Sequence, residues 1–292
     1  MSTLNKQIWT GQIMENFYPA VNFLQYSRDF NAFVENDVIN LAEAGFTPEV
    51  LVNNTTYPIP VKEREDIPLS MELDLFETEN TLVRNPEQVE LSYDKLESVI
   101  YGHRMALQTT TAQKAAHAYA PMEDSIYTPI VKTSGEDNEE GFKRLEVKNI
   151  LTLKRKFDKQ NIPLEKRFLV LDPFHTEDLL LYDLKAFKDI TDFVNGKPKR
   201  FAGFNILENT QNPKYDSTTY KKISFGAVAS ANETYCSFAF SSDEVMRADG
   251  SVGMYETIRD PKLRATIVGF DKRFIAMPIR NRGIGAIVST KL

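Results

Sequence analysis

The stretch YDKLESVIYGHRMALQTTTAQKAAHAY, Tyr93 to Tyr119, decides how the rest of this chain is read. It holds no proline, and Leu96, Val99, Ile100, His103, Ala106, Leu107, Thr110 and Ala118 recur mostly at steps of three and four, which sets them on one helix face. Asn85–Pro86 is one candidate start, Ser92 is the favoured N-terminal cap, and Pro121 stops the run. At 1.5 Å per residue the helix would be ~40 Å long, more than the core of an ordinary small domain is wide. Something extended must lie along it.

Upstream of the helix, residues 54–84 predict a long hairpin. Tyr57, Ile59 and Val61 alternate with small or polar residues as one strand, and a second, irregular one runs from Glu72 through Thr78 and Leu82 to Arg84. KEREDIPLS between them is a charged tip. Such a hairpin is too polar to hold a core of its own and needs a neighbour. Residues 1–53 read as a helical or irregular arm carrying Trp9, Phe17, Tyr18, Phe23, Tyr26, Phe30 and Phe33. Pro19, Gly45 and Pro48 break it into short pieces, of the sort that pack across another surface, although a place in the chain's own core explains the same aromatics.

Downstream, TSGEDNEEG (133–141) is an acidic surface loop, and Val147 to Gln160 returns to helical spacing with Lys148, Lys154, Arg155 and Lys156 on its polar side. RFLVLDP (167–173) and GFNILEN (203–209) read as buried strands, HTEDLLLYDLKAF as a helix, TYKKISFGAVAS and TYCSFAFSS as further strands. SDEVMRADG predicts a short helix capped by Ser242 and ended at Gly250, and the strand runs after Met254 predict an antiparallel ribbon closing the fold. Helices and strands without regular alternation make the fold class α+β.

Composition narrows the function. At 292 residues and 42% hydrophobic the chain can bury a substantial core, and its single cysteine, Cys236, permits no intrachain disulfide. Neither a secretion signal nor a membrane-length apolar run is present, so no membrane is expected as a partner. Residues 1–100 hold 6 Lys and Arg against 17 Asp and Glu, a balance of −11 that leaves +5 for the remainder of the −6 total. An acidic first third disfavours tight nucleic-acid binding there and instead suits contacts between copies of the chain, or simply a solvated face.

Chemistry-bearing constellations are missing. His103 and His117 lie fourteen residues apart on one helix, ~21 Å, too far to share a metal. His175 sits in DPFHTED beside Asp172, Glu177 and Asp178, where capping of a helix start by Asp172 or Thr176 explains the same residues without a metal. Cys236 reads as a small buried hydrophobe. Gly283 and Gly285 form a Gly-x-Gly, but Val288 stands where a dinucleotide fingerprint needs its third glycine. No catalytic residue, metal or cofactor is expected.

The segments IWTGQIMENF (8–17), LSYDKLESVIYGHRMAL (91–107), RFLVLDP, GFNILEN and RFIAMPIRNRGIGAIVS (273–289), in this order and spacing, resemble tailed-bacteriophage major capsid proteins of the Hong Kong 97-type fold. The resemblance covers nearly the whole chain. It implies an N-arm at 1–53, an E-loop at 54–84, a peripheral domain with its spine helix at 85–129, an axial domain at 130–248 and peripheral return strands at 249–292. It further implies self-assembly into pentamers and hexamers of an icosahedral shell around double-stranded DNA held by non-specific contacts, in a virion built in the bacterial cytoplasm. Trp9, Phe17 and Tyr18 of the arm, and Lys62, Glu63, Arg64, Glu65 and Asp66 of the E-loop, become the expected inter-subunit contacts. About fifty residues precede the hairpin, so either a separate scaffolding protein is expected or the chain is already processed, against which Met1 argues; a portal and a decoration protein are the other expected partners. Lys62 is the one hairpin lysine that cross-linking of the kind some relatives perform would use, and such cross-linking is not expected. An encapsulin-like compartment shell is the alternative, and an α+β enzyme the third reading.

Overall fold

In a computed structural model, residues 23–43, 50–55, 57–59, 61, 67–84, 95–182 and 200–292 are described. Trp9, Phe17, Tyr18, the charged tip Lys62 to Asp66 and the expected cap Ser92 lie outside the described residues.

Short strands β1 (Arg28–Asp29) and β2 (Val34–Glu35) precede β3 (Val38–Glu43). β3 pairs antiparallel with β4 (Ile67–Glu72), Val38 opposite Glu72 and Glu43 opposite Ile67. β5 (Asp74–Glu77) and β6 (Thr81–Arg84) follow, then the long helix α1 (Lys95–Tyr119). The strand expected from Tyr57 to Val61 is absent: its described residues form no strand, and the ladder joins β3, inside the expected arm, to β4. Alternation gave Tyr57, Ile59 and Val61 the right period, but a strand exists only where a partner accepts its backbone hydrogen bonds.

After α1 come β7 (Ile130–Lys132), α2 (Val147–Lys159), β8 (Arg167–Leu171), α3 (Pro173–Tyr182), β9 (Arg200–Phe201) and β10 (Phe204–Glu208). β11 (Tyr215–Asp216) and β12 (Glu233–Thr234) form a small antiparallel pair, and β13 (Cys236–Ser241), β14 (Val245–Asp260), β15 (Ala265–Pro278) and β16 (Ile284–Val288) complete the described elements.

Two sheets share α1. One, in the order β7-β16-β13-β8-β10-β9, is buried on both faces. Phe168 and Val170 of β8 meet Ala115, Ala116 and Tyr119 of α1, whereas Leu169 and Leu171 meet Ile150, Leu153 and Phe157 of α2. Coverage on both sides is why RFLVL reads as a continuous apolar run. The other sheet, β1-β14-β15-β5 with β6 also on β15, packs Met254, Val268 and Phe270 against Ile100 and Leu107 in the first half of α1. The helix is long because it spans both sheets. Beside the second sheet, Phe30 and Ile39 join Met71, Leu73 and Met246 in a smaller core. Among the described residues no helix is long and apolar enough to cross a membrane.

Three further expectations change. The short helix foreseen at SDEVMRADG is the start of β14, since Val245 to Asp249 pairs with Phe274 to Pro278 across the sequence. TYKKISFGAVAS is a loop with one bridge, Tyr215 to Lys222, and exposed residues from Ser224 to Ala231. The ribbon does form, as β14 and β15, but the last apolar run leaves it: β16 pairs with β13 and runs parallel to β7 in the first sheet. The Arg280-Asn281-Arg282 turn makes that crossing, fixed by Glu244, whose carboxylate takes Arg280 Nε at 3.1 Å and Arg282 Nη2 at 2.7 Å.

Candidate functional site

His175 has the company that suggests chemistry. Asp172 caps α3, its Oδ1 accepting the Phe174 N–H at 3.1 Å, which positions the imidazole one turn into the helix. There Nδ1 lies 2.6 Å from Ser237 Oγ on β13 and Nε2 lies 2.8 Å from Ser289 Oγ just past β16. Ser237 Oγ also accepts the Asp172 N–H at 2.9 Å. A serine, a histidine and an aspartate are therefore adjacent, but the carboxylate does not touch the imidazole, and His175 has no exposed surface. Burial pushes its pKa down to about 3, so the ring is neutral and bridges a helix to two strands. A triad needs an orienting carboxylate on the ring and a hydroxyl that substrate can reach, and neither is present here.

The other two histidines also pack. His117 donates Nε2–H to Ile223 O at 2.8 Å, and beside it Lys222 Nζ donates to His117 O and Ala120 O, each at 2.6 Å. Those carbonyls are among the groups a helix end leaves unpaired, so Lys222 closes α1 from the loop opposite. Burial draws the lysine's pKa down to about 8. Tyr215 donates its hydroxyl to Pro121 O in the same junction. Cys236 is fully buried, which pushes its thiol pKa up and removes thiolate character. Among the described residues no group of three or more His, Cys, Asp or Glu is placed to hold a metal ion.

Two uncovered surfaces stand out among the described residues. The first is a groove of about 830 Å³ between α1 and β5–β6, floored by Val99, Gly102, Ala106 and Leu107 and walled by Phe76 and Phe225. Ala106 and Thr110, which helical spacing places on the apolar stripe, stand exposed here. His103 also lines the groove; it is only 6% exposed, and its Nε2 has no hydrogen-bond partner among the described residues. The rim is acidic: Asp74 meets Lys114 at 3.6 Å, while Glu77 and Glu79 have no ion pair among the described residues. The second surface is the excursion between β3 and β4, where Val50, Leu51, Val52, Tyr57, Ile59 and Val61 are all exposed, Val61 to 97%. Sequence reading missed the groove because its walls come from three separate segments; a glycine at position 102 inside a helix was the available signal.

No protein-family model matches the chain, and no curated protein matches it in sequence. Solved structures do. The capsid of Ralstonia phage GP4 superposes with a TM-score of 0.67 at 8% identity, covering 91% of this chain and 87% of that one. The capsid of the cyanophage P-SCSP1u gives 0.62 at 13% identity, over 90% and 86% of the two chains. A virus-like particle from Pyrococcus furiosus gives 0.59 at 12% identity, over 96% and 98%. The chain therefore has the Hong Kong 97-type fold of tailed-phage capsid subunits, and the α+β class is as expected.

Proposed function

We propose that this chain is a major capsid protein, a non-enzymatic subunit that self-assembles into pentamers and hexamers of an icosahedral phage shell. What carries the reading is the match of nearly the whole fold to phage capsid subunits, with the apolar excursion from Val50 to Val61 standing uncovered on the single chain. An exposed apolar run of that size marks an interface. In this reading residues 1–53 are an N-arm and residues 54–84, with β3 as the returning ladder, an E-loop. Residues 85–129 with the β14–β15 ribbon form a peripheral domain, and residues 130–248 with β16 an axial domain. Trp9, Phe17, Tyr18 and the tip Lys62, Glu63, Arg64, Glu65 and Asp66 contact neighbouring subunits. A scaffolding protein, a portal, a decoration protein and non-specifically held double-stranded DNA are the partners, and the virion, assembled in the bacterial cytoplasm, is the location.

The match to an archaeal virus-like particle favours one second reading, a cellular compartment shell of encapsulin type. Neighbouring genes separate the two, a terminase and portal on one side against a cargo enzyme on the other. Expression alone and with a neighbouring scaffolding gene, followed by sedimentation and electron microscopy, tests both. Closed shells are expected. A chain that stays monomeric under both conditions and turns over a small substrate overturns the shell reading. Deleting Val61 to Pro68 should leave the monomer folded and block assembly.

A further inference from the structure

We propose that Arg282 is an exchangeable cation at the crossing between the two sheets, and that its external partner is the acidic loop 136–140 of a second copy of this chain. This rests on the shell reading above and adds to it one contact, together with the ion pair that the contact rearranges. Glu244 is nearly buried, its side chain 7% exposed, yet two half-exposed arginines converge on it. Arg280 forks across both of its oxygens, Nε donating to Oε2 at 3.1 Å and Nη2 to Oε1 at 3.3 Å. Arg282 sets Nε and Nη2 on Oε1 alone, at 2.8 and 2.7 Å. One buried carboxylate needs one cation, and the fork across two oxygens is the stronger geometry. Arg282 can therefore turn to another anion while Glu244 stays paired.

The two partners stand at opposite ends of one helix. Gly283 donates its N–H to Gln160 Oε1 at 3.2 Å, which holds the arginine turn at the C-terminal end of α2, and the Arg282 N–H bonds Arg280 O at 2.8 Å within the turn. Arg155 and Lys159, one turn apart on α2, make no ion pair among the described residues and add charge of the same sign. The acidic loop runs into Glu146, where α2 begins, about 20 Å away at 1.5 Å per residue. There Asn138 Oδ1 accepts the N–H groups of Glu140 and Phe142, each at 3.0 Å, and the Arg144 N–H bonds Glu136 O at 2.8 Å. On this frame Glu136, Asp137, Glu139 and Glu140 stand exposed, without an ion pair among the described residues. Beside the arginine turn, Gln160 Nε2 donates to Ile126 O at 3.2 Å, and Ile126 and Tyr127 are exposed at 84% and 61%. Exposed apolar side chains next to arginines fit a protein surface, whereas a phosphate backbone makes no use of them. Since the basic and acidic ends differ and belong to one lobe, the contact is heterologous, and repetition about an axis closes a ring.

Full-length wild type, Arg282→Gln, Arg280→Gln, the loop variant Glu139→Gln/Glu140→Gln and the combination of Arg282→Gln with the loop variant are compared by light scattering and sedimentation, with circular dichroism and thermal unfolding to follow folding. Arg282→Gln should unfold close to wild type, because Arg280 keeps Glu244 paired, and Arg280→Gln should unfold earlier. Arg282→Gln and the loop variant should each raise the concentration needed for assembly about tenfold, and added salt should weaken wild-type assembly in the same direction. The combined variant should lose no more than either of its parents, the mark of a direct pair. Additive losses, or assembly of a folded Arg282→Gln protein at the wild-type concentration, overturn the contact. Failure of Arg282→Gln to fold shows that Glu244 needs both arginines and overturns the exchange. An Arg282→Gln protein that assembles normally but no longer binds a duplex DNA probe assigns the turn to DNA, and the contact falls. Wild type that assembles alongside every variant removes this contact and leaves the shell reading standing; wild type that never self-associates removes both.

Discussion

His175 makes the acid side of this protein's stability legible at a single residue. Its imidazole holds a pKa of about 3 when folded against an ordinary 6.5 when exposed. Above pH 6.5 neither state takes the proton and stability is flat in this group. As pH falls below 6.5 the unfolded chain binds a proton that the folded chain refuses, so stability is lost down to about pH 3. One pKa unit is worth about 1.4 kcal/mol, so at pH 5 the loss is about 2 kcal/mol. Thermal midpoints measured from pH 7.5 to 5 should fall, and His175→Gln, which cannot titrate, should flatten that slope. His175→Leu should cost about 2–4 kcal/mol in denaturant unfolding, because the Ser237 and Ser289 hydroxyls lose their partner in the dry core. Phe240 is fully buried against Phe168, Phe238 and Tyr119, so Phe240→Ala should cost about 3–5 kcal/mol.

For whole elements, the end of α1 depends on a side chain from a loop 105 residues later, Lys222 Nζ on His117 O. Lys222→Met keeps the apolar stem and removes both carbonyl contacts, so it should cost about 1–3 kcal/mol and speed amide exchange in the loop opposite, around Lys222 and Ile223. Elements buried on both faces were readable in the chain: β8 appears as a continuous apolar run after Arg167, β10 as a mostly apolar one broken by Asn205, and α1 and α2 as stripes at helical spacing. β14 was not. Its Val-Met-Arg-Ala-Asp start mixes buried and half-exposed positions in a pattern compatible with a helix, and only its partner, some thirty residues on, makes it a strand. The Tyr57 to Val61 run shows the reverse, strand periodicity with no ladder to join.

At the scale of the whole molecule the shell reading makes the single chain an incomplete unit. Six large apolar side chains from Val50 to Val61 face solvent while a groove along α1 stands open. Unassembled protein should therefore bind a hydrophobic dye such as anilinonaphthalene sulfonate and lose most of that signal on forming particles. Equal fluorescence before and after assembly would show that these surfaces stay wet in the shell.

The order of segments was enough to determine the fold class, the long helix and the two-faced strands of the lobe, because each follows from local periodicity or residue type. Tertiary structure alone decided where β16 goes, that β3 is the partner of β4, that Asp172, His175, Ser237 and Ser289 form a sealed packing cluster, and that Gly102 opens a groove. Each of these depends on pairing or burial between residues far apart in the chain, and periodicity within one segment carries no record of what lies against it.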